Sequence, residues 1–382
     1  MKVHVAVEGA GRKARGTRRN LLGGGLALVA LTMLGGCGSS KPEGDVAGAP
    51  QEAAKTEFNI GWSIYAGWMP WAYADKSGIL KKWADKYGIK INLIQVNDYV
   101  ESLNQYTAGK LDGVGATNMD ALTIPAAGGK DTTVLILGDY SNGNDGIVLK
   151  NGASMADIKG RTVNLVELSV SHYLLARGLA LNGMKLADVK TVNTSDADIV
   201  SAFASPNVTA VAAWNPQLSQ ITATPGATMV FDSSKIPNEI QDLMTVSTDT
   251  LKANPKLGKA LVGAWYEVMA IMAKGDAKAN EAIDDMARMA GTTPENFRAQ
   301  LKTTYIYYKP AEAVAYATGP DIIKHEDAVR QFSFSKGLFG PAATSVDAIG
   351  IGFAGGKTLG DKANVKLRFD PSFMQMAADG KL

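Results

Sequence analysis

Glu57-Phe58-Asn59-Ile60-Gly61-Trp62-Ser63-Ile64-Tyr65-Ala66-Gly67-Trp68-Met69-Pro70-Trp71-Ala72-Tyr73-Ala74 is the stretch on which the reading of the chain turns. Phe58, Ile60, Trp62 and Ile64 alternate with Asn59, Gly61 and Ser63, the period of two expected of a strand, so a folded domain starts here. Five aromatic residues fall within the twelve positions 62–73, where that strand should end and a helix begin. Ligands of open α/β sheets sit outside the carboxyl ends of strands, and flat π faces stack on planar groups or attract cations. Trp62, Tyr65 and Trp68 are therefore candidate binding residues, Tyr65 and Trp68 flanking the flexible Gly67. Trp71 and Tyr73, inside the helix, read as core.

Working outward, short apolar runs suited to strands recur at 89–96, 134–137, 146–149, 162–166, 189–192, 208–213, 229–231 and 244–246. Helical patterns lie between many of them, such as 79–87, with Trp83 and Tyr87 four apart, and 173–182, stopped by Gly183. After residue 250 helix prevails, and Thr293-Pro294-Glu295 has the cap and first-turn proline of a helix start. Strand and helix in alternation predict an α/β architecture with largely parallel sheets. At 382 residues the chain has room for two or three domains or lobes.

The formal net charge of +2 misleads. Lys2, Arg12, Lys13, Arg15, Arg18 and Arg19 stand against Glu8 in the first 36 residues, so 39 basic and 37 acidic residues become 33 and 36 in the remainder. With no basic stripe beyond residue 19, a nucleic-acid partner has no electrostatic footprint. The basic stretch leads into residues 21–34, fourteen apolar or small residues. That is too short for the roughly 20 a spanning helix needs, and it reads as a signal-peptide core. Residues 38–56, rich in Gly, Ala, Pro and Ser, read as a flexible tether. Cys37 is the single cysteine, which excludes an internal disulfide and a Cys-based zinc site, and the three histidines do not cluster. No metal or other cofactor is expected. Enzyme signatures are missing as well: there is no P-loop, Gly113-Val114-Gly115 lacks the third glycine of a dinucleotide site, and neither a Gly-x-Ser-x-Gly elbow nor a His-Glu-x-x-His helix occurs.

Three further segments carry polar groups from a strand into a helix. In 113–120, Asn118 offers an amide suited to an amide-like ligand, and Asp120 is a cap or a ligand carboxylate. In 166–173, Glu167 is a carboxylate at a strand end that compensates a cation or sits solvated in a loop; Ser169 caps the helix or faces the ligand, and His172 reads as structural. In 211–216, Trp214 and Asn215 present an aromatic and an amide side by side.

These segments, together and in order, resemble the solute-binding proteins of ABC importers for nitrate, taurine, aliphatic sulfonates and thiamine precursors. The resemblance runs from about residue 57 to 345 and is carried by 60–74, by Gly109-Lys110-Leu111-Asp112-Gly113-Val114-Gly115-Ala116-Thr117, by Ser169, His172 and Tyr173 leading to Asn182-Gly183-Met184, and by 208–216. Val208-Thr209-Ala210 stands where the family usually has Val/Ile-Asp-Ala, and Asn215 where an acidic residue is common, so the ligand does not transfer with the fold. Leu34-Gly35-Gly36-Cys37 resembles a lipoprotein box, which implies a lipid anchor on Cys37. Thr17-Arg18-Arg19-Asn20-Leu21-Leu22 is similar to a twin-arginine export signal and equally to an ordinary basic leader.

The aromatic first loop and 138–145 resemble a narrower branch associated with urea carboxylase pathways. What the resemblance implies is a type II-like two-lobed α/β binding protein: leader 1–36, tether 37–56, one lobe from 57–144 plus 245–382, the other from 145–244. It further implies a monomer, tied to the membrane by lipid, that hands a small planar nitrogen-rich solute to a permease and ATPase without catalysis. Guanidinium is expected ahead of urea, held by Glu167 or Asp120 in its plane and by Tyr65, Trp68 or Trp214 on its faces. Another amine, amide or sulfonate is the alternative, and a thiamine-pyrimidine synthase is disfavoured because that type is cysteine-rich.

Overall fold

The computed structural model describes residues 55–382. The leader, Cys37 and the tether up to residue 54 lie outside the described residues. The opening alternation forms β1 (Glu57–Trp62), with Phe58 and Ile60 fully buried. The following strands are β2 (Lys90–Gln95), β3 (Gly113–Thr117), β4 (Thr132–Ser141), β5 (Asp145–Lys150), β6 (Thr162–Leu165), β7 (Lys190–Asn193), β8 (Ala210–Trp214), β9 (Ala227–Asp232), β10 (Gln241–Ser247), β11 (Thr304–Ile306), β12 (Gly350–Gly352), β13 (Thr358–Leu359) and β14 (Val365–Phe369). They build a nine-stranded sheet in the order β13-β12-β14-β4-β10-β3-β1-β2, with β11 also on β4, and a five-stranded sheet in the order β7-β6-β8-β5-β9.

The sheets are mixed rather than largely parallel. β1 pairs parallel with β2 and β3, and β6 with β7 and β8, as helix-linked strands should. Besides the short β11 on β4 and β13 on β12, the antiparallel pairs are those of the strands next to the two passages between sheets. β4 runs through a short turn straight into β5, and β9 returns through 233–240 into β10. β10 is antiparallel to β3 and β4, and β5 is antiparallel to β8 and β9. Alternation of strand and helix in sequence cannot register a strand that leaves one sheet for another, so the period-based expectation missed this.

That reversal positions the site. Because β5 and β10 run against their neighbours, their amino ends lie beside the carboxyl ends of β8 and β3: Asp145 is opposite Trp214, and Asp242 is opposite Thr117. Helices pack on the sheet faces. Trp71 of the helix Met69–Lys76 meets Trp265 of the helix Pro255–Met272 at 5.0 Å between ring centroids, so Trp71 belongs to the core. Gly183, with φ 72°, follows the helix Val170–Leu181, and Thr293 caps the helix Pro294–Lys302 through the Asn296 amide. A residue with a Cβ would pay a steric penalty in the left-handed conformation of Gly183.

Candidate functional site

Where the strand ends of the two sheets converge lies a narrow cavity of about 20 Å³, room for about one water-sized group. The nine-stranded sheet and its connections supply Ser63, Ile64, Tyr65, Trp68, Tyr99, Thr117, Ile240 and Asp242; the five-stranded sheet supplies Asp145, Val170, Asp196 and Trp214. The aromatic residues form a connected wall. Tyr65 meets Trp68 edge to face at 5.2 Å, Trp68 meets Tyr99 at 5.5 Å, and Tyr99 meets Trp214 edge to face at 5.9 Å. Gly115 lies under this wall, where a Cβ would be in ordinary van der Waals contact with the Trp68 ring at 3.4 Å.

The wall is braced from behind by Asp120. Its Oδ2 accepts hydrogen bonds from the Tyr99 hydroxyl at 3.0 Å and the Thr117 hydroxyl at 2.8 Å, while Tyr99 Oη accepts the Thr117 amide at 2.9 Å. Burial raises the Asp120 carboxyl to about 6, against the hydrogen bonds from Thr117, Tyr99 and the Val170 amide that lower it.

The cavity's polar groups are acidic. Asp145, Asp196 and Asp242 line it, and Asp139 lies immediately behind, opposite Asp242 across the β4–β10 pair. Asp139 Oδ1 accepts from the Tyr65 hydroxyl at 3.4 Å, and its Oδ2 has no protein partner. Gly67 is required at this point, because a Cβ there would stand 2.3 Å from that Oδ2. Asp145 Oδ2 accepts from Ser141 Oγ at 2.5 Å. Burial first, then neighbouring carboxylates, raise Asp139 and Asp145 to about 7 each and push Asp242 well above the ordinary carboxylate range. Burial and the nearby Asp98 raise Asp196 to about 6. None of the lining residues is Lys, Arg or His. The Ser63 hydroxyl and the Trp68 indole N–H, on two lining residues, are buried without a partner.

Of the residues singled out in the sequence, the structure brings Tyr65, Trp68 and Trp214 to this cavity. The others lie elsewhere. Trp62 is the last residue of β1 and is buried in the core. Asn118 is consumed by the protein, donating to Glu326 Oε1 at 2.9 Å and to the Glu239 carbonyl at 3.2 Å and accepting the Gln241 amide at 3.2 Å. Ser169 caps its helix by accepting the Ser171 amide and donates to the Val166 carbonyl. Asn215 donates to Asn144 Oδ1 at 2.5 Å and accepts the Ser219 amide. Glu167 is half-buried, accepts from Thr191, and lines outer grooves with Val100 and Asn104 rather than the inner cavity. Asp120 faces one of those grooves and braces the wall without lining the inner cavity.

Tyr99, Asp145, Asp196 and Asp242 were not reached by reading strand-to-helix transitions. A signal for Asp242 did exist: Gln241-Asp242 directly precedes the apolar run Leu243-Met244, a carboxylate opening a buried strand.

A family model described as NMT1/THI5 like matches residues 78–279, more than half of the chain. The chain belongs to the NMT1/THI5-like family. This family member is 27% identical over 199 residues to a binding protein of Brucella abortus, a match that covers 51% of this chain and only 60% of the relative's length. It is 23% identical over 214 residues to the taurine-binding periplasmic protein of Escherichia coli, covering 54% of this chain and 66% of that one. Its structure is similar to that of the alkanesulfonate-binding protein of Xanthomonas axonopodis pv. citri, with a TM-score of 0.63 at 19% identity over 75% of this chain and 96% of the other. The NMT1/THI5-like chain thus has the two-lobed α/β fold of periplasmic binding proteins. Among the described residues, no helix is long and apolar enough to cross a membrane, and no group of three or more His, Cys, Asp or Glu side chains is arranged to hold a metal ion.

Proposed function

We propose that this chain is an exported, lipid-anchored solute-binding protein of an ABC importer, that its inner cavity takes a small planar cation rich in N–H donors, guanidinium first, and that it catalyses nothing. The observation that carries the reading is the cavity's composition: three carboxylates and four aromatic rings with no cationic side chain. A sulfonate or nitrate would meet carboxylates and ring faces with only neutral donors such as the Ser63 hydroxyl and the Trp68 N–H, and an anion among buried carboxylates without a cationic partner is strongly disfavoured. A guanidinium presents donors in its plane to Asp145 and Asp242 and its flat faces to aromatic rings.

The protein holds guanidinium groups of its own on carboxylates by two-point contacts, Arg368 on Asp131 among them. Arg177 donates to Glu239 Oε2 at 2.8 Å and Oε1 at 2.9 Å, with the Tyr173 hydroxyl on the same carboxylate. Closure of the two lobes would enclose the solute, and the family fold supports delivery to permease and ATPase subunits. Urea is the second reading, favoured by the unpartnered Ser63 hydroxyl and Trp68 N–H, either of which could serve its oxygen.

Calorimetric titration with guanidinium chloride, urea, taurine, methanesulfonate and nitrate tests the assignment. Saturable guanidinium binding, weaker urea binding and no heat from the anions are expected. Tight sulfonate or nitrate binding with neither nitrogen compound would overturn it, and turnover of guanidine or urea would overturn the non-catalytic reading.

A further inference from the structure

Asp139 and Asp242 face each other across the antiparallel β4–β10 pair, one on a strand that leaves the nine-stranded sheet and the other on the strand that returns to it. Residues directly opposite in such a pair hold their Cβ atoms about 5 Å apart on one face of the sheet. Both are buried, at 0% and 3% exposure, and Asp145 from β5 closes on the same compartment at 2%. The groups facing them are of one kind. Tyr65 approaches from the first loop, Tyr307 and Tyr308 from the segment after β11, Asn144 from the turn before β5, and Asp120 from beyond Asp145. None is a cation. Ser141 and Tyr65 supply neutral hydroxyls to Asp145 and Asp139, while Asp139 Oδ2 has no partner and Ser63 Oγ, on the cavity wall, has none either.

Like charges this close and this dry cannot all be ionised, so an empty compartment of three carboxyls must keep at least one proton. A cation in the cavity removes the reason to keep it. Resting on the cationic reading of the cavity, we propose that the solute enters in exchange for a proton: Asp139 and Asp242 share one proton when the site is empty, and a bound guanidinium expels it to solvent. Burial and neighbouring carboxylates raise Asp139 to about 7 and push Asp242 well above the ordinary carboxylate range, so the empty pair keeps its proton at neutral pH. Acidification then works as a release signal built into the site, weakening capture where protons are plentiful.

The test is calorimetric titration of the wild-type protein with guanidinium chloride from about pH 5.5 to 8.5, in pairs of buffers that differ in protonation enthalpy. Close to one proton should leave per guanidinium bound at about pH 6 to 7, with apparent affinity rising by up to about tenfold per pH unit until the empty pair itself loses the proton. Asp242→Asn or Asp139→Asn should abolish both the release and the slope. Should either variant fail to fold, the wild-type buffer comparison decides alone. Guanidinium binding with no proton release and a flat affinity across that range would overturn the exchange and leave the cationic site standing. No guanidinium binding at any of these pH values would overturn both.

Discussion

Glu239 and Asp242 stand three residues apart on the segment that returns from one sheet to the other, and they meet opposite fates. Glu239 is partnered by a guanidinium within the chain: the two-point contact from Arg177, with Tyr173 adding a third donor, holds its carboxyl below the ordinary range in spite of burial. Asp242 has no such partner. It lines the cavity beside Asp139, and burial together with its carboxylate neighbours pushes it well above that range. The same chemical group is thus a finished ion pair at one position and an open half of one at the other. A buried carboxylate left without a counter-charge is costly to keep, and such sites cluster where a ligand completes them.

The sharpest way to break the comparison is to neutralise the open half. Asp242→Asn should weaken guanidinium binding by about 1.5–3 kcal/mol, roughly tenfold to a hundredfold, the worth of a charge-assisted hydrogen bond, while urea affinity changes little. Calorimetry on wild type and variant reads this directly, and equal losses for both solutes would contradict a charge-based site. Neutralising the finished pair instead should cost stability and not binding. Arg177→Ala leaves Glu239 largely buried without its cation, and chemical denaturation should record a loss of about 2 kcal/mol with guanidinium affinity nearly unchanged.

A third measurement uses pH alone. Carboxyls whose proton affinity is raised in the folded state favour folding below their unfolded value near 3.8, and that contribution is lost as pH rises towards about 7. Ligand-free protein should therefore lose several kcal/mol of stability between about pH 5 and 7, roughly 1.4 kcal/mol per pH unit for each such carboxyl. Guanidinium should restore it. Glu239, with its lowered carboxyl, contributes in the opposite sense, its stabilisation fading only as the solution turns acid. Thermal melts across the range, with and without solute, separate the two trends.

The smallest effect belongs to Glu167→Gln. This half-buried carboxylate already accepts from Thr191 and lines an outer groove, so its loss should change guanidinium affinity by less than about twofold, the scale of an exposed charge. A loss as large as that of Asp242→Asn would move the site out to that groove.

Much of this protein was legible in its residues. The alternation through Phe58, Ile60 and Trp62 marked the first strand, Gly183 and Thr293 marked helix boundaries, and the aromatic loop supplied Tyr65 and Trp68 to the cavity. Local periodicity and turn chemistry are written in neighbouring residues, so they survive without knowledge of the fold. The carboxylates facing the inner cavity were decided elsewhere. Asp145 and Asp242 open antiparallel strands, and only the crossing of the chain between two sheets sets their amino ends beside the carboxyl ends of β8 and β3. Glu167 looked suitable because it follows a strand, yet its direction and its Thr191 partner send it outside. Sequence fixes which groups a chain possesses; whether a carboxylate meets an arginine, a threonine or an empty cavity depends on residues brought together from distant positions, and that pairing sets its charge.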